Sequence, residues 1–220
     1  MRQRCPRVAG HLLSLLVRQL DLFAAGAAPG FDPAFRSLVR TNLAHGAWID
    51  HVPGWVHGHD ALFDELEREL PWRRETMKMY DKVVEVPRLL SAVREHPLVE
   101  QMRDALSERY GERFVYMTAA LYRDGNDSVA FHGDTTARDM IEALVATVSL
   151  GAPRRFMLRP TEGGEHNKIA MPLGRGDLVV MGGTCQRTWR HGIPKVASAG
   201  PRIALMFRPA WAKNYRTSLS

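Results

Sequence analysis

Cysteine is nearly missing from this chain: two residues in 220, Cys5 and Cys185, far apart and in no metal-ligand spacing. That excludes a disulfide framework and a cysteine-built zinc site, and it leaves free thiols in a reducing compartment, the cytoplasm, as the expectation. Also missing is any apolar run approaching the ~20 residues that a membrane span requires, so no membrane partner is expected. The nearest approach is Leu12-Leu13-Ser14-Leu15-Leu16-Val17, behind a basic start and ahead of Ala24-Ala25-Gly26-Ala27-Ala28. Arg18, Gln19 and Asp21 interrupt it before any cleavage site, which argues against a secretory signal. Residues 1–30 read instead as an arm or amphipathic helix ahead of a domain over 31–220. Acidic charge is scarce as well: 24 Asp and Glu against 30 Lys and Arg give a net +6. The balance suits an acidic partner such as nucleic acid, although a mildly basic soluble enzyme carries the same sign. With 45% apolar residues the chain can bury one sizeable core.

Within the arm, Gln19-Leu20-Asp21-Leu22-Phe23 resembles the short peptide by which bacterial replication and repair proteins dock on the sliding clamp. Leu22 and Phe23 would fill an apolar pocket while Gln19 fixes orientation by hydrogen bonds. One helical turn packed on the domain is the other reading.

Residues 31–58 read as irregular, with Trp48 and Trp55 as anchors. Asp60 is placed to cap a helix over 61–70, with Leu62, Leu66 and Leu70 on one stripe and Pro71 ending it. A strand over 83–86 closes at Pro87. His96-Pro97 opens a second helix that runs to Tyr110, and Gly111 is the C-cap. From Phe114 the pattern changes to short strands over 114–122, 129–132, 144–150, 154–159, 168–172, 177–181, 188–191 and 202–208. Asp124-Gly125-Asn126-Asp127, Gly163-Gly164 and Gly174-Arg175-Gly176-Asp177 supply turns between them. The fold class is therefore α+β, mainly β: a sandwich or jelly roll with N-terminal supporting helices.

His132 and Asp134 stand two apart, so one extended strand presents an imidazole and a carboxylate on one face. With His191 from a later strand they make two histidines and one carboxylate, the pattern of a mononuclear non-haem Fe(II) site with open positions. A hydrogen-bonded polar cluster is the alternative. Arg202 and Arg208 share a face by their even offset on an otherwise apolar strand. Burying two guanidiniums there is costly unless anions meet them, and a small dicarboxylate beside the metal would supply those.

Residues 114–208 are similar to the AlkB branch of the 2-oxoglutarate- and Fe(II)-dependent dioxygenases. The likeness is carried by Leu121-Tyr122-Arg123-Asp124-Gly125, His132-Gly133-Asp134, Val148-Ser149-Leu150-Gly151, Gly176 through Met181, Thr188 through Lys195 and Pro201-Arg202 through Phe207-Arg208. Met79-Tyr80-Asp81-Lys82 and Val86-Pro87-Arg88 extend it upstream. The resemblance implies a double-stranded β-helix in which His132, Asp134 and His191 hold iron. It implies that Tyr122 and Arg202 take the distal carboxylate of 2-oxoglutarate and Arg208 the carboxylate next to the keto group, with O₂ as the third reactant. The region about 71–95 would recognise the nucleotide. There Met79, Tyr80, Lys82 and Arg88 would contact nucleic acid, an aromatic between Lys78 and Lys82 being suited to fill the gap left by a flipped base. The implied activity is oxidative dealkylation of N-alkylated bases of the 1-methyladenine and 3-methylcytosine type, with DNA favoured, releasing formaldehyde, succinate and CO₂. A 2-oxoglutarate oxygenase acting on RNA, protein or a small molecule, and a non-catalytic nucleic-acid-binding module on the same fold, are the alternatives.

The chain departs from the family where two asparagines are common, at Ala120 and Ala204. An acidic base-reading residue is replaced by Thr135 and Thr136, for which Asp139 or Glu142 are the candidate substitutes. Arg138, Arg154, Arg155, Arg187 and Arg190 read either as phosphate contacts or as a solvated basic face. His45, His51, His57 and His59, with no regular spacing, read as surface residues.

Overall fold

The computed structural model describes residues 28–79, 82–134, 140–162 and 168–210. The clamp-like peptide Gln19–Phe23 lies outside the described residues, as do Cys5, Tyr80, Thr135, Thr136, Arg138 and Asp139. Short strands β1 (Gly30–Phe31), β2 (Val39–Asn42), β3 (Ala47–Val52) and β4 (Val56–His57) precede helix α1 (His59–Glu69). A long hairpin, β5 (Arg73–Met79) and β6 (Lys82–Ala92), leads to helix α2 (Pro97–Tyr110). Strands β7 (Phe114–Tyr122), β8 (Val129–His132), β9 (Val145–Gly151), β10 (Arg154–Pro160), β11 (Ile169–Leu173) and β12 (Asp177–Gly183) follow. The single-turn helix α3 (Cys185–Thr188) then gives way to β13 (Trp189–Ile193) and β14 (Arg202–Pro209). All eight strands expected after Phe114 are present, within two residues of their expected ends.

An eight-stranded antiparallel sheet runs in the order β2-β3-β12-β9-β14-β7-β6-β5, and a four-stranded one in the order β11-β10-β13-β8. The period of two along β14 sorts its side chains. Ile203, Leu205 and Phe207 join an apolar core with α1 and α2, while Ala204 and Met206 pack in a second core between the sheets. Phe156, Leu158, Trp189 and Ile193 enter that second core from the small sheet, and Tyr122, Val145, Val179 and Met181 from the large one. The helices cover one face of the large sheet and the small sheet covers the other, which is the jelly roll expected from the strand pattern.

Three expectations are corrected. Residues 31–58 are not irregular: they form β1 to β4, and β2 and β3 extend the large sheet. Asp50 on β3 is fully buried, accepts two hydrogen bonds from Arg40 at 2.7 and 2.8 Å and a third from the Tyr110 hydroxyl at 2.9 Å. Helix α1 starts at His59 behind Gly58, whose left-handed φ of 60° turns the chain, so Asp60 sits in the first turn and does not cap. Pro87 does not close a strand. The β5–β6 register slips between Arg74 and Thr76, and at such an irregularity the missing N–H costs no ladder bond. The Pro87 carbonyl instead accepts from the Ser128 N–H at 2.9 Å. Helix α2 is as expected: the His96 ring accepts the Val99 N–H at 3.4 Å, and Gly111 takes the left-handed cap conformation. Trp55 is buried against Phe31 and Phe35, and Trp48 stacks on Tyr110. Cys185 is free and buried, its thiol pushed up to about 12 by burial. Among the described residues no helix is long and apolar enough to cross a membrane.

Candidate active site

Strands β8 and β13 pair so that His132 and His191 are direct cross-strand partners, with ring centroids 4.4 Å apart. Both imidazoles face the space between the sheets, where Phe156 packs 5.7 Å from the His191 ring. The proton on His132 is fixed by its surroundings. Nδ1 lies 2.9 Å from the Ala130 carbonyl, which can only accept, so Nδ1 carries the hydrogen and the Nε2 lone pair is left for a ligand. Burial holds both rings neutral. It lowers the His132 pKa, with the Ala130 contact opposing, and together with the neighbouring His132 it pushes His191 down to about 3. Neutral imidazole is the form that binds metals.

Asp134 is buried at the end of the same chain segment. Its backbone N–H donates to the side chain of Gln186 on α3 at 2.8 Å. Gly133, between the imidazole and the carboxylate of the motif, has no room for a side chain: a Cβ there would lie 2.6 Å from the Gln186 carbonyl oxygen. The Asp134 carboxylate accepts from Arg208 Nε at 2.5 Å, and Arg208 also reaches Thr118 Oγ1 at 3.4 Å. Among the described residues no three His, Cys, Asp or Glu side chains are already gathered as a ligand set, since the carboxylate that would complete one is turned to Arg208.

The second half of the site lies along β14 and β7. Arg202 and Tyr122 are cross-strand partners, and the guanidinium carbon stands 5.2 Å from the Tyr122 ring centroid. Arg202 is 1% exposed. Its Nη2 donates to the Ser149 hydroxyl at 2.7 Å, but Nε and Nη1 have no partner. Burial depresses its pKa, Tyr122 opposes that and the like charge of Arg154 adds to it. A guanidinium remains charged under any such pull, so this is a dry cation with unmet donors. Beside it, Ala120 and Ala204 are direct cross-strand partners, which puts both absent asparagines on one rung and leaves that rung apolar. These observations fit the implied groups: paired neutral imidazoles with a buried carboxylate two residues along suit a divalent iron, and the orphaned donors of Arg202 suit a carboxylate.

The structure pairs His132 with His191 across β8 and β13 and Asp134 with Arg208, and it sets Tyr122 and Arg202 as cross-strand partners. Of the nucleotide-recognition candidates, Met79, Lys82 and Arg88 lie on the β5–β6 hairpin. Met79 and Lys82 are cross-strand partners at its tip. Arg88, further along β6, donates to the Ser128 carbonyl at 3.3 Å, and its charge depresses both imidazoles. Arg154 is a correction: it is neither a phosphate contact nor solvated. It is 3% exposed and donates to the carbonyls of Asp124, Asp127 and Pro194, tying together two turns behind Tyr122. Arg187 likewise donates to the Met140 carbonyl at 2.8 Å, whereas Arg155 and Arg190 are exposed. Ser149 and Gln186 were not read from the sequence as site residues. Both act on partners more than fifty positions away, and only the register reveals them.

A fold of this kind with paired histidines and a buried arginine defines an oxygenase-type jelly roll. The chain matches the model of the 2OG-Fe(II) oxygenase superfamily over residues 97–208, just over half its length, and belongs to that family. Membership implies Fe(II), 2-oxoglutarate and O₂ as requirements. The chain is similar to alpha-ketoglutarate-dependent dioxygenase alkB homolog 3 of Bos taurus, at 30% identity over 72% of this chain and 65% of that protein. It is also similar to DNA oxidative demethylase ALKBH2 of Bos taurus, at 27% identity over 73% and 67%. Within the superfamily its likeness is thus to AlkB homologues, and it spans 65% of the length of the first. The crystal structure of an oxidoreductase of the 2OG-Fe(II) oxygenase family from Burkholderia pseudomallei shares the fold, with a TM-score of 0.50 and 13% identity, covering 94% of this chain and 92% of that one.

Proposed function

We propose that the chain is an Fe(II)- and 2-oxoglutarate-dependent oxidative dealkylase of N-alkylated bases in nucleic acid, with DNA favoured. The observation that carries the reading is Arg202: a buried guanidinium with two donors unmet, on the same face of the barrel as the paired imidazoles. A dry cation is retained where an anion arrives to meet it. Support for the substrate class comes from the relatives, one of them a DNA oxidative demethylase by name.

In this reading His132 and His191 offer neutral nitrogens and Asp134 a carboxylate to the iron. Arg202, Ser149 and Tyr122 would hold the distal carboxylate of 2-oxoglutarate, and Arg208, which already donates to Asp134, would take the carboxylate next to the keto group. When bound, iron supplies the activation of O₂ by which one oxygen atom enters succinate as CO₂ leaves and the other enters an N-methyl group, which is then lost as formaldehyde. The apolar side chains between the sheets, Phe156 and Trp189 among them, keep water from the reacting groups. Met79, Tyr80, Lys82 and Arg88 are the proposed nucleic-acid contacts.

The test is mass spectrometry of 1-methyladenine and 3-methylcytosine oligonucleotides, as DNA and as RNA, incubated with Fe(II), ascorbate and 2-oxoglutarate. The direct readout is the unmethylated oligonucleotide with matching formaldehyde. Succinate formation with no change in any oligonucleotide would leave an oxygenase with a different substrate.

A further inference from the structure

Asp134 lies two residues past the end of β8, beyond the ladder that fixes His132 against His191. A ligand carried outside a ladder needs another hold on its backbone, and α3 supplies one. The Asp134 N–H donates to Gln186 Oε1 at 2.8 Å, and Arg187 Nη1 stands a longer 3.5 Å from the Asp134 carbonyl oxygen. Consecutive residues of α3 therefore meet the peptide groups on both sides of the Asp134 Cα. Arg187 Nε also donates to the Met140 carbonyl at 2.8 Å, so one guanidinium grips the chain at Asp134 and again at Met140. Gln186 is itself fixed. It is buried, and its amide nitrogen lies 3.6 Å from the Met181 sulfur, a weak acceptor. An N–H can only donate, so the amide oxygen faces Asp134 and the amide nitrogen is left for Met181. The helix is held in turn by the short segment Ala44–Gly46. The Thr184 hydroxyl donates to the His45 carbonyl at 2.6 Å, and Trp189 Nε1 to the Ala44 carbonyl at 3.3 Å. The Asp134 carboxylate, by contrast, is turned to Arg208 Nε.

We propose that Gln186 and Arg187 are positioning residues: they hold the Asp134 backbone still, so that only its side chain turns between Arg208 and the metal. Loosening either grip weakens metal binding without removing a ligand, because the carboxylate no longer starts from one place. The inference rests on the reading of His132, Asp134 and His191 as the ligand set.

The test titrates Co²⁺ into the full chain without oxygen or 2-oxoglutarate and reads affinity from the visible absorption of the bound ion, which needs no turnover. Gln186→Met keeps the volume and removes the acceptor; Arg187→Lys keeps the charge and removes the planar fork. Each should weaken Co²⁺ binding about tenfold or more. Combined with Asp134→Ala, Gln186→Met should cost nothing further, since its effect passes through Asp134. Thermal midpoints of the metal-free proteins are read alongside, because a merely structural role lowers the midpoint and leaves the affinity alone. Wild-type affinity in either variant, whatever its midpoint, overturns the inference. So does an equal loss with and without the Asp134 carboxylate. An Asp134→Ala protein that binds Co²⁺ as wild type does would sink the ligand reading and this inference with it. Loss of the metal in Asp134→Ala but not in Gln186→Met sinks the inference alone. Should Gln186→Met fail to fold, Arg187→Lys reads the same quantity, alone and combined with Asp134→Ala.

Discussion

At the scale of single residues, Arg202 makes a prediction with two opposite signs. Replacing it by Met removes an unmatched cation from a dry site and fills the volume, which stabilises the protein without cosubstrate by about 1–4 kcal/mol. At about 2–4 °C per kcal/mol for a chain of this size, calorimetry should show a higher midpoint. The same variant loses the charged hydrogen bonds to 2-oxoglutarate, so its affinity for the cosubstrate should fall about a hundredfold. His132→Ala, Asp134→Ala and His191→Ala should each abolish turnover with circular dichroism unchanged; full activity in any of them removes that residue from the ligand set. The histidines also fix how stability follows pH. The folded pKa of His191 is about 3, below the ordinary value of 6.5. As pH drops below 6.5 the unfolded chain takes up a proton that the fold refuses, so stability falls by up to about 1.4 kcal/mol per unit until pH approaches 3. Above 6.5 this contribution is constant. His191→Leu should flatten the slope of thermal midpoint against pH between 6.5 and 4, whereas an unchanged slope would place the proton elsewhere.

At the scale of elements, the site depends on how β8 ends and how α3 meets it. Gly133→Ala forces a Cβ into the Gln186 carbonyl, so Asp134 must shift. Turnover should fall far more than stability, measured as kcat against the denaturant midpoint; equal losses would mean that Gly133 serves only the fold. This local dependence explains what was legible in the sequence. His132 and Asp134 on one strand, and Arg202 and Arg208 on another, follow from a period of two that the chain carries within itself. The strands after Phe114 announced themselves through turn residues. Ser149, Gln186 and Arg154 did not, because a serine, a glutamine or an arginine looks the same whether solvated or turned inward, and their partners are set by the pairing of distant strands. Pro87 misled for a related reason. A proline ends a strand where its N–H is needed, and here the register slips at that point. Asp50 was hidden too, since its burial depends on Arg40 and Tyr110 arriving from two other elements.

For the whole molecule, two sheets enclose the site while helices seal the outer face of the larger one, and the long β5–β6 hairpin forms the edge of that sheet. The net charge of +6 predicts that binding of methylated oligonucleotides weakens steeply as salt rises, in the linear log–log manner of counterion release. An affinity independent of salt would argue against a nucleic-acid substrate. The peptide Gln19–Phe23 carries its own proposal of clamp docking, and a clamp pull-down that survives Leu22→Ala combined with Phe23→Ala disposes of it.

The central claim is that paired neutral histidines, a buried carboxylate and an orphaned arginine form one site for iron and 2-oxoglutarate. Its most direct test is titration of 2-oxoglutarate into the Fe(II)-loaded protein without oxygen, followed by the visible absorption that chelation to iron produces. A band should grow with 2-oxoglutarate in wild type, need far more of it in Arg202→Met, and be absent in His191→Ala. A band that is missing in wild type, or that is indifferent to both substitutions, would contradict the claim.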